Sequence, residues 1–207
     1  EYDYTSYDLS DTAPGADTSP DRALPIASLD AGMIFERSFP DSSRIWTIEP
    51  RLLYAHIPFE DQQALPVFDT IMPDINLVQL FRKNRFLGVD RIGETDQVSL
   101  GITSRVLDVS TGRELLTATI GQTRYLSERE ITLPGAGASI VSESSDYIAQ
   151  LRVLLFDNVN FEFGHQWSSG DSRTTKSEAR LQYRPAPNKI VNLSYRYRRD
   201  SLEQGDL

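Results

Sequence analysis

The stretch Gln97–Asp108, QVSLGITSRVLD, alternates for its whole length. Val98, Leu100, Ile102 and Val106 fall on one side of an extended chain, and Gln97, Ser99, Gly101, Thr103 and Arg105 fall on the other. Extended backbone turns successive side chains to opposite faces, so this reads as a strand with one apolar and one polar face. The pattern recurs. In DYIAQLRVLLF (Asp146–Phe156), Tyr147, Ala149, Leu151, Val153 and Leu155 oppose Gln150 and Arg152. In NVNFEFGHQW (Asn158–Trp167), Val159, Phe161, Phe163 and Trp167 oppose Asn160, Glu162, Gly164 and Gln166. SEARLQYR (Ser177–Arg184) sets Ala179, Leu181 and Tyr183 against Glu178, Arg180 and Gln182, and KIVNLSYRYR (Lys189–Arg198) sets Val191, Leu193, Tyr195 and Tyr197 against Asn192, Ser194 and Arg196. LDAGMIFER (Leu29–Arg37) follows the same rule, while Trp46–His56 and Arg113–Leu126 are only partly two-faced. Pro50 also lacks the N–H that a strand ladder needs. The chain is expected to be all-β.

Strands with two faces suit either a soluble sandwich or a membrane barrel. Three features favour the barrel. The runs last about 10 to 14 residues, against ~5–6 for globular strands, which is enough for a tilted crossing of a bilayer. Nearly every polar face carries large charged groups, as a wet lumen would. Tyr125, Tyr147, Trp167, Tyr183 and Tyr197 lie near run ends, where interfacial aromatic girdles sit. The connections point the same way. After a first run near Tyr2–Asp8 comes the polar stretch Ser10–Pro25, then a short turn at Pro40–Ser43 and a very long connection over 59–96. A short turn at Val109–Gly112, a long loop over Ser127–Ser145, a tight turn at Asp157–Asn158, a medium loop at Ser168–Arg173 and a short turn at Pro185–Asn188 complete the series. Outer-membrane barrels alternate short periplasmic turns with long extracellular loops in this manner, and a Greek-key sandwich has no reason to. The expected fold is a sector of a large antiparallel transmembrane β-barrel over 1–207. The count is about nine strands, whereas single-chain bacterial barrels use even numbers, so both barrel ends are expected to lie elsewhere.

Composition narrows the function classes. Thirty acidic and 21 basic residues give a net charge of −9, which disfavours general nucleic-acid binding. Among the basic residues only Lys83, Lys176 and Lys189 are lysines; the rest are arginines, whose planar fork of donors suits internal ion-pair networks or a specific anionic ligand. There is no cysteine, hence no disulfide or thiolate metal site within this stretch. His56 and His165 stand far apart, better explained as isolated polar positions than as a metal pair or catalytic dyad. GAGAS (Gly135–Ser139) lacks the third glycine and the strand–helix setting of a dinucleotide loop, and the acidic clusters Glu60–Gln63 and Ser142–Asp146 lack regular cation-ligand spacing. No enzymatic activity, cofactor or metal is expected.

The departure from alternation is PDINLVQLFRKNRFLGVDRIGETDQ, Pro73–Gln97, dense in Arg, Asp and Asn with Ile75, Leu77, Leu80, Phe81 and Phe86 set among them. A connection as long as 59–96 is uncommon unless it is ordered and functional. The segments EPRLLY (Glu49–Tyr54), PVFDT (Pro66–Thr70), PDINLVQLF (Pro73–Phe81), NRFLGVDRIGETDQ (Asn84–Gln97) and LGITSRVLD (Leu100–Asp108), in that order, resemble the C-terminal barrel domain of the LptD family, the lipopolysaccharide-assembly or organic-solvent-tolerance proteins of Gram-negative outer membranes. The resemblance implies an outer-membrane barrel that inserts lipopolysaccharide into the outer leaflet. It also implies an LptE-like lipoprotein plugging the lumen, and a periplasmic transport bridge that delivers lipid through an N-terminal domain expected outside this chain.

The connection over 59–96 is then expected to be an extracellular loop folded into the lumen. Arg82, Arg85 and Arg91 would pair with Asp69, Asp74 and Asp90, with hydrogen bonds from Asn76 and Asn84. Two roles stand for it: a scaffold that narrows the lumen and braces the plug, or a set of arginines that touch the phosphates or sugars of passing lipopolysaccharide. The lumen-facing polar candidates on the strands are Arg105, Arg152, Glu162, Arg180 and Arg196. A general porin and a soluble β-sandwich binding module are the alternative functions.

Overall fold

The structure, a computed structural model, describes residues 1–10, 17–39, 43–135 and 142–199. The middle of the Ser10–Pro25 connection, most of the Pro40–Ser43 turn, GAGAS beyond Gly135 and the end segment DSLEQGDL lie outside the described residues. Extended backbone forms β1 (Tyr2–Ser6), β2 (Asp21–Pro25), β3 (Ala27–Gly32), β4 (Phe35–Ser38), β5 (Arg44–Ile57), β6 (Thr95–Asp108), β7 (Glu114–Tyr125), β8 (Tyr147–Leu155), β9 (Val159–Ser168), β10 (Arg173–Ala186) and β11 (Lys189–Arg198), with one four-residue helix, α1 (Leu77–Leu80). The expected all-β antiparallel architecture is what the chain adopts.

The large sheet runs β11-β10-β9-β8-β7-β6-β5-β3, with β4 also paired to β5. Neighbours in sequence are thus neighbours in space, the order produced by successive hairpins. Proline explains one irregularity. The run expected as a single strand over Leu29–Arg37 divides into β3 and β4, which share β5 as partner. The antiparallel register Phe35↔Ile48 continues to Met33 opposite Pro50, where the Met33 N–H donates to the Pro50 carbonyl (3.1 Å) but proline returns no donor. The first expected strand is also corrected. β1 pairs with β2, from Tyr2↔Pro25 to Ser6↔Asp21, in a separate two-stranded sheet. Residues 21–25, expected as the end of a loop, extend because Arg22 and Leu24 alternate inward and are buried.

Burial on β6 is inverted relative to a soluble protein: the polar Gln97 and Ser99 are buried, Ser99 completely, while Leu100 is 55 % and Ile102 45 % exposed. On β11 both faces are exposed, Val191, Leu193 and Tyr195 among them. A sandwich would bury these apolar side chains against a second sheet, each gaining about 1.5–3 kcal/mol of burial free energy. Aromatic residues mark the ends of the apolar face. Tyr147 on β8 stands opposite Trp167 on β9, ring centroids 6.0 Å apart, at the end bearing the long connections. Tyr183 stands opposite Val159 near the short turns. Trp167 lies eight positions beyond Val159, about 26 Å of strand at ~3.3 Å per residue, or roughly 20 Å of height at a tilt of ~35–45°, most of the ~25 Å apolar band of an outer-membrane barrel.

The chain divides into two compact units, one of Glu1–Asp30, Leu52–Ser99 and Thr123–Ser144, the other of Ala31–Arg51, Leu100–Gln122 and Ser145–Leu207. The first holds the β1–β2 pair, α1 and the loop residues between β5 and β6, with Leu24, Ile57 and Ile92 buried together and Ile26 packed against them. The second holds β4, β8, β9, β10 and β11.

Candidate functional site

In the first unit the loop between β5 and β6 is built largely by side chains bonding backbone. Asn76 caps α1, its Oδ1 accepting from the N–H groups of Val78 (2.9 Å) and Gln79 (3.0 Å). Ile71 and Leu87 exchange backbone hydrogen bonds, closing the segment between them into a hairpin-like fold. Gly88 follows with φ +99°, and a Cβ there would come within 2.6 Å of Asp69 Oδ1, so glycine is required on both counts. The Thr70 hydroxyl accepts from the N–H groups of Asp90 and Arg91. The Asp90 carboxylate accepts from the N–H groups of Phe68 and Asp69, both 2.7 Å, and from the Tyr7 hydroxyl. Burial alone would push this carboxyl up; the donated N–H bonds of Asp69 and Phe68 outweigh it and hold the carboxyl below its ordinary value.

The centre of the network is a residue that the sequence reading passed over. Arg22, on β2, is almost wholly buried. Its Nη1 donates to Gln62 Oε1 and the Asp90 carbonyl, both 2.9 Å. Its Nη2 donates to Asp3 Oδ1 (3.0 Å), Thr5 Oγ1 (3.1 Å) and the Val89 carbonyl (3.0 Å). Gln62 completes the bridge, accepting from the Ile92 N–H and donating to its carbonyl. One guanidinium therefore fastens the β1–β2 pair to both ends of the loop.

A second junction joins this loop to the one after β7. Arg85 donates to the Glu94 carbonyl (2.9 Å), to Glu94 Oε2 (3.4 Å) and to the Ile131 carbonyl. The Glu94 carboxylate accepts in turn from the N–H groups of Glu130 and Ile131. Arg129 lies 3.6 Å over the Tyr125 ring and donates to Ser142. Gly93 makes room, since a Cβ there would meet Arg85 Nη1 at 2.3 Å.

Of the expected loop residues, Asp69, Asn84, Arg85, Asp90 and Arg91 converge in these networks. Asn84 accepts from the Phe86 and Gly93 N–H groups and donates to the Arg91 carbonyl. The Asp74 and Arg82 side chains are exposed, while the Arg82 carbonyl accepts from the buried Gln97 (2.9 Å). For Asp69 and Asp90 the expected pairing with arginine gives way to a different pattern. Arg91 donates to the carbonyls of Leu65 (2.8 Å) and Pro66, Arg85 pairs with Glu94, and Asp69 and Asp90 accept from backbone N–H groups. The physical reason is that a folded loop without a ladder leaves backbone carbonyls to satisfy, and arginine carries five donors.

In the second unit the strand residues share one face. Register places Arg152 opposite Glu162 and Glu162 opposite Arg180, while Arg196 lies opposite Glu178 one row away. Arg105 pairs with Glu49 and, at 3.4 Å, with Glu114. The two histidines do not meet: His56 Nδ1 lies 3.9 Å from Asp96 and His165 Nδ1 2.8 Å from Ser177 Oγ.

Comparison with known proteins bears on the whole of this arrangement. The family model described as LptD, LPS transport system D, matches residues 1–207. A protein of Nitrosococcus oceani named LPS-assembly protein LptD is 41% identical over 202 residues, 97% of this chain and 27% of its own length. Proteins of the same name from Alkalilimnicola ehrlichii and Nitrosomonas eutropha are 40% and 38% identical, each over 99% of this chain and 28% of their own length. The chain thus spans about a quarter of the length of these relatives.

Two outcomes follow from the loop chemistry. Arg22→Met in the full-length parent protein leaves Gln62 and two carbonyls without their buried donor, about 1–3 kcal/mol for an unsatisfied buried group, while Asp3, 35 % exposed, keeps its hydration. Amide exchange over residues 62–92 is expected to accelerate, with the rate on β8–β10 unchanged. The Asp90 carboxylate, depressed when folded, stabilises the loop fully above the pKa of an unfolded aspartate, about 3.9, and ceases to do so as pH falls through its lower folded value. Exchange at the Phe68 and Asp69 amides, corrected for intrinsic rate, is therefore expected to stay slow at pH 5 and rise below about pH 4; Asp90→Asn is expected to make it fast at both.

Proposed function

The chain belongs to the LptD family of Gram-negative outer membranes, and on that premise we propose that it forms wall and loop of a barrel delivering lipopolysaccharide to the outer leaflet. The apolar face of the large sheet meets lipid and the face bearing Arg105, Arg152, Glu162, Arg180 and Arg196 lines the lumen. The loop over 59–96 folds into that lumen and braces an LptE-like lipoprotein plug. A periplasmic bridge hands lipid to a domain of the parent protein beyond this chain.

The observation that carries the reading is the inverted sheet, with Leu100 exposed and Ser99 buried, in a chain matched by the family over 1–207. The loop's own surface favours a plug over a porin's open pore. Phe68 is 73 % and Val78 72 % exposed, together with Ile71, Met72 and Val89. Large apolar side chains of this kind fit a protein partner better than a water-filled channel. Asp69, Asn84, Arg85, Asp90 and Arg91 are turned inward on the loop's own backbone, which favours a scaffold over a moving ligand contact.

The test uses the full-length parent protein in cells, with a photo-crosslinking residue in place of Val78 and, separately, of Thr103 on the polar strand face. A lipoprotein adduct at Val78 is expected. Its absence, in a parent that still delivers lipopolysaccharide to the surface, would remove the bracing role. Delivery that continues after the parent protein is depleted would overturn the transport reading itself.

A further inference from the structure

Two arginines interrupt the apolar face of the large sheet at its short-turn end. Arg37 on β4 stands opposite Trp46 on β5, and residues directly opposite share a face. Arg44, two positions before Trp46, falls on that face by alternation. The Trp46 indole N–H donates to Ser104 Oγ (2.7 Å), and Ser104 alternates with Ile102 and Leu100, so this is the face read above as meeting lipid. Phe39 lies beneath Arg37, its ring centroid 5.3 Å from the guanidinium carbon. Phe35, Arg37, Phe39 and Arg44 are all exposed.

The arginines of the polar face show the contrast. Arg105, Arg152, Arg180 and Arg196 each meet a glutamate. Among the described residues, Arg37 and Arg44 meet no carboxylate. Asp108, at the end of β6, turns its Oδ1 into its own turn, accepting from the Ser110 hydroxyl (2.6 Å) and the Thr111 N–H (2.9 Å). Glu36, opposite Thr47, falls on the other face. The segment Arg37–Arg44, RSFPDSSR, holds two arginines and one acid, Asp41, so it is net positive by one in a chain whose net charge is −9. Its end is fixed, since the Ser43 carbonyl accepts from the Val109 N–H of the next short turn (2.7 Å). A guanidinium in hydrocarbon is costly, but near a strand end its stem follows the apolar surface while the head reaches the lipid head groups. The anion at that depth is a phosphate ester, to which arginine donates two parallel N–H bonds.

We propose that Arg37 and Arg44, with Phe39 and Trp46 beside them, form a docking site for an anionic phospholipid of the periplasmic leaflet. The guanidiniums take its phosphate, and its acyl chains lie along Phe35 and Ile48, which stand opposite each other. The site rests on the reading above that this face meets lipid. It would hold the wall at a fixed depth by its short-turn end.

The test is photo-crosslinking in the full-length parent protein, purified with its copurifying subunits and reconstituted in bilayers of equal parts phosphatidylcholine and phosphatidylglycerol. Benzoylphenylalanine replaces Phe35 and, separately, Leu193 on the apolar face of β11, and lipid adducts are sorted by head group in mass spectrometry. At Phe35 the phosphatidylglycerol adduct is expected to exceed the phosphatidylcholine adduct about fivefold, the gain from one net basic charge at a lipid surface. At Leu193 the two are expected to be equal. The double variant Arg37→Gln, Arg44→Gln is expected to bring the Phe35 position to equality, while Arg37→Lys, Arg44→Lys keeps the excess. Unchanged heat-modifiable mobility on a gel establishes that each variant keeps its barrel. An excess that survives the Gln variant, or a protein adduct in place of lipid at Phe35, would overturn the site. Lipid adducts without head-group preference at both positions defeat the site alone, and no lipid adduct at either defeats the lipid-facing reading beneath it.

Discussion

An extended chain gives every strand two faces, and the medium outside decides which of them points out. Here the outward medium is apolar. Leu100, Ile102, Val191 and Leu193 are exposed, while Ser99, Gln97 and Thr123 are buried, one against another: Ser99 Oγ and Thr123 Oγ1 lie 2.8 Å apart. In water that arrangement would forgo most of the hydrophobic stabilisation a sheet can have. In a bilayer it is the arrangement that leaves no polar group facing hydrocarbon. The hairpin order of the sheet, the aromatic residues at its ends and the charged rows on its polar face are all consistent with that reversal.

The loop after β5 is held largely by directional bonds, beside the small apolar cluster of Leu24, Ile57 and Ile92. Arg22, Arg91 and Arg85 are held mainly by backbone carbonyls and by Glu94 and Asp3. Buried guanidinium is costly to desolvate, and it is tolerable where most of its donors have partners. The same groups make the loop specific: moving it by one residue would strand Gln62, Thr70 and Asp90 together. Such a structure resembles a fixed insert more than a gate.

The sheet was legible because its signal is local. Period two in Gln97–Asp108 or Asn158–Trp167 needs no partner to be seen, and aromatic residues at run ends mark the interfaces directly. That Arg152, Glu162 and Arg180 fall on the polar faces of their strands was legible for the same reason; their pairing across strands was not. Arg22 was not. It lies in DRALP, a five-residue strand beside proline and next to a polar connection, and its partners are 17 to 68 residues away in sequence. Nor was the choice of carbonyls over Asp69 and Asp90 as acceptors visible, because side-chain charges are written in the sequence and unsatisfied backbone groups are not. The division of Leu29–Arg37 into β3 and β4 did have a signal, Pro50, but it is placed on the partner strand and acts only once the register is known.

The account stands or falls on which side of the sheet meets lipid. Spin labels placed singly at Leu151, Arg152, Val153 and Leu154 of the full-length protein in lipid bilayers would report it, by accessibility to oxygen and to a water-soluble nickel chelate. The prediction is alternation: oxygen-rich, chelate-poor labels at Leu151 and Val153, and the reverse at Arg152 and Leu154. Labels at Leu151 and Val153 shielded from both reagents, as in the core of a soluble sandwich, would contradict it.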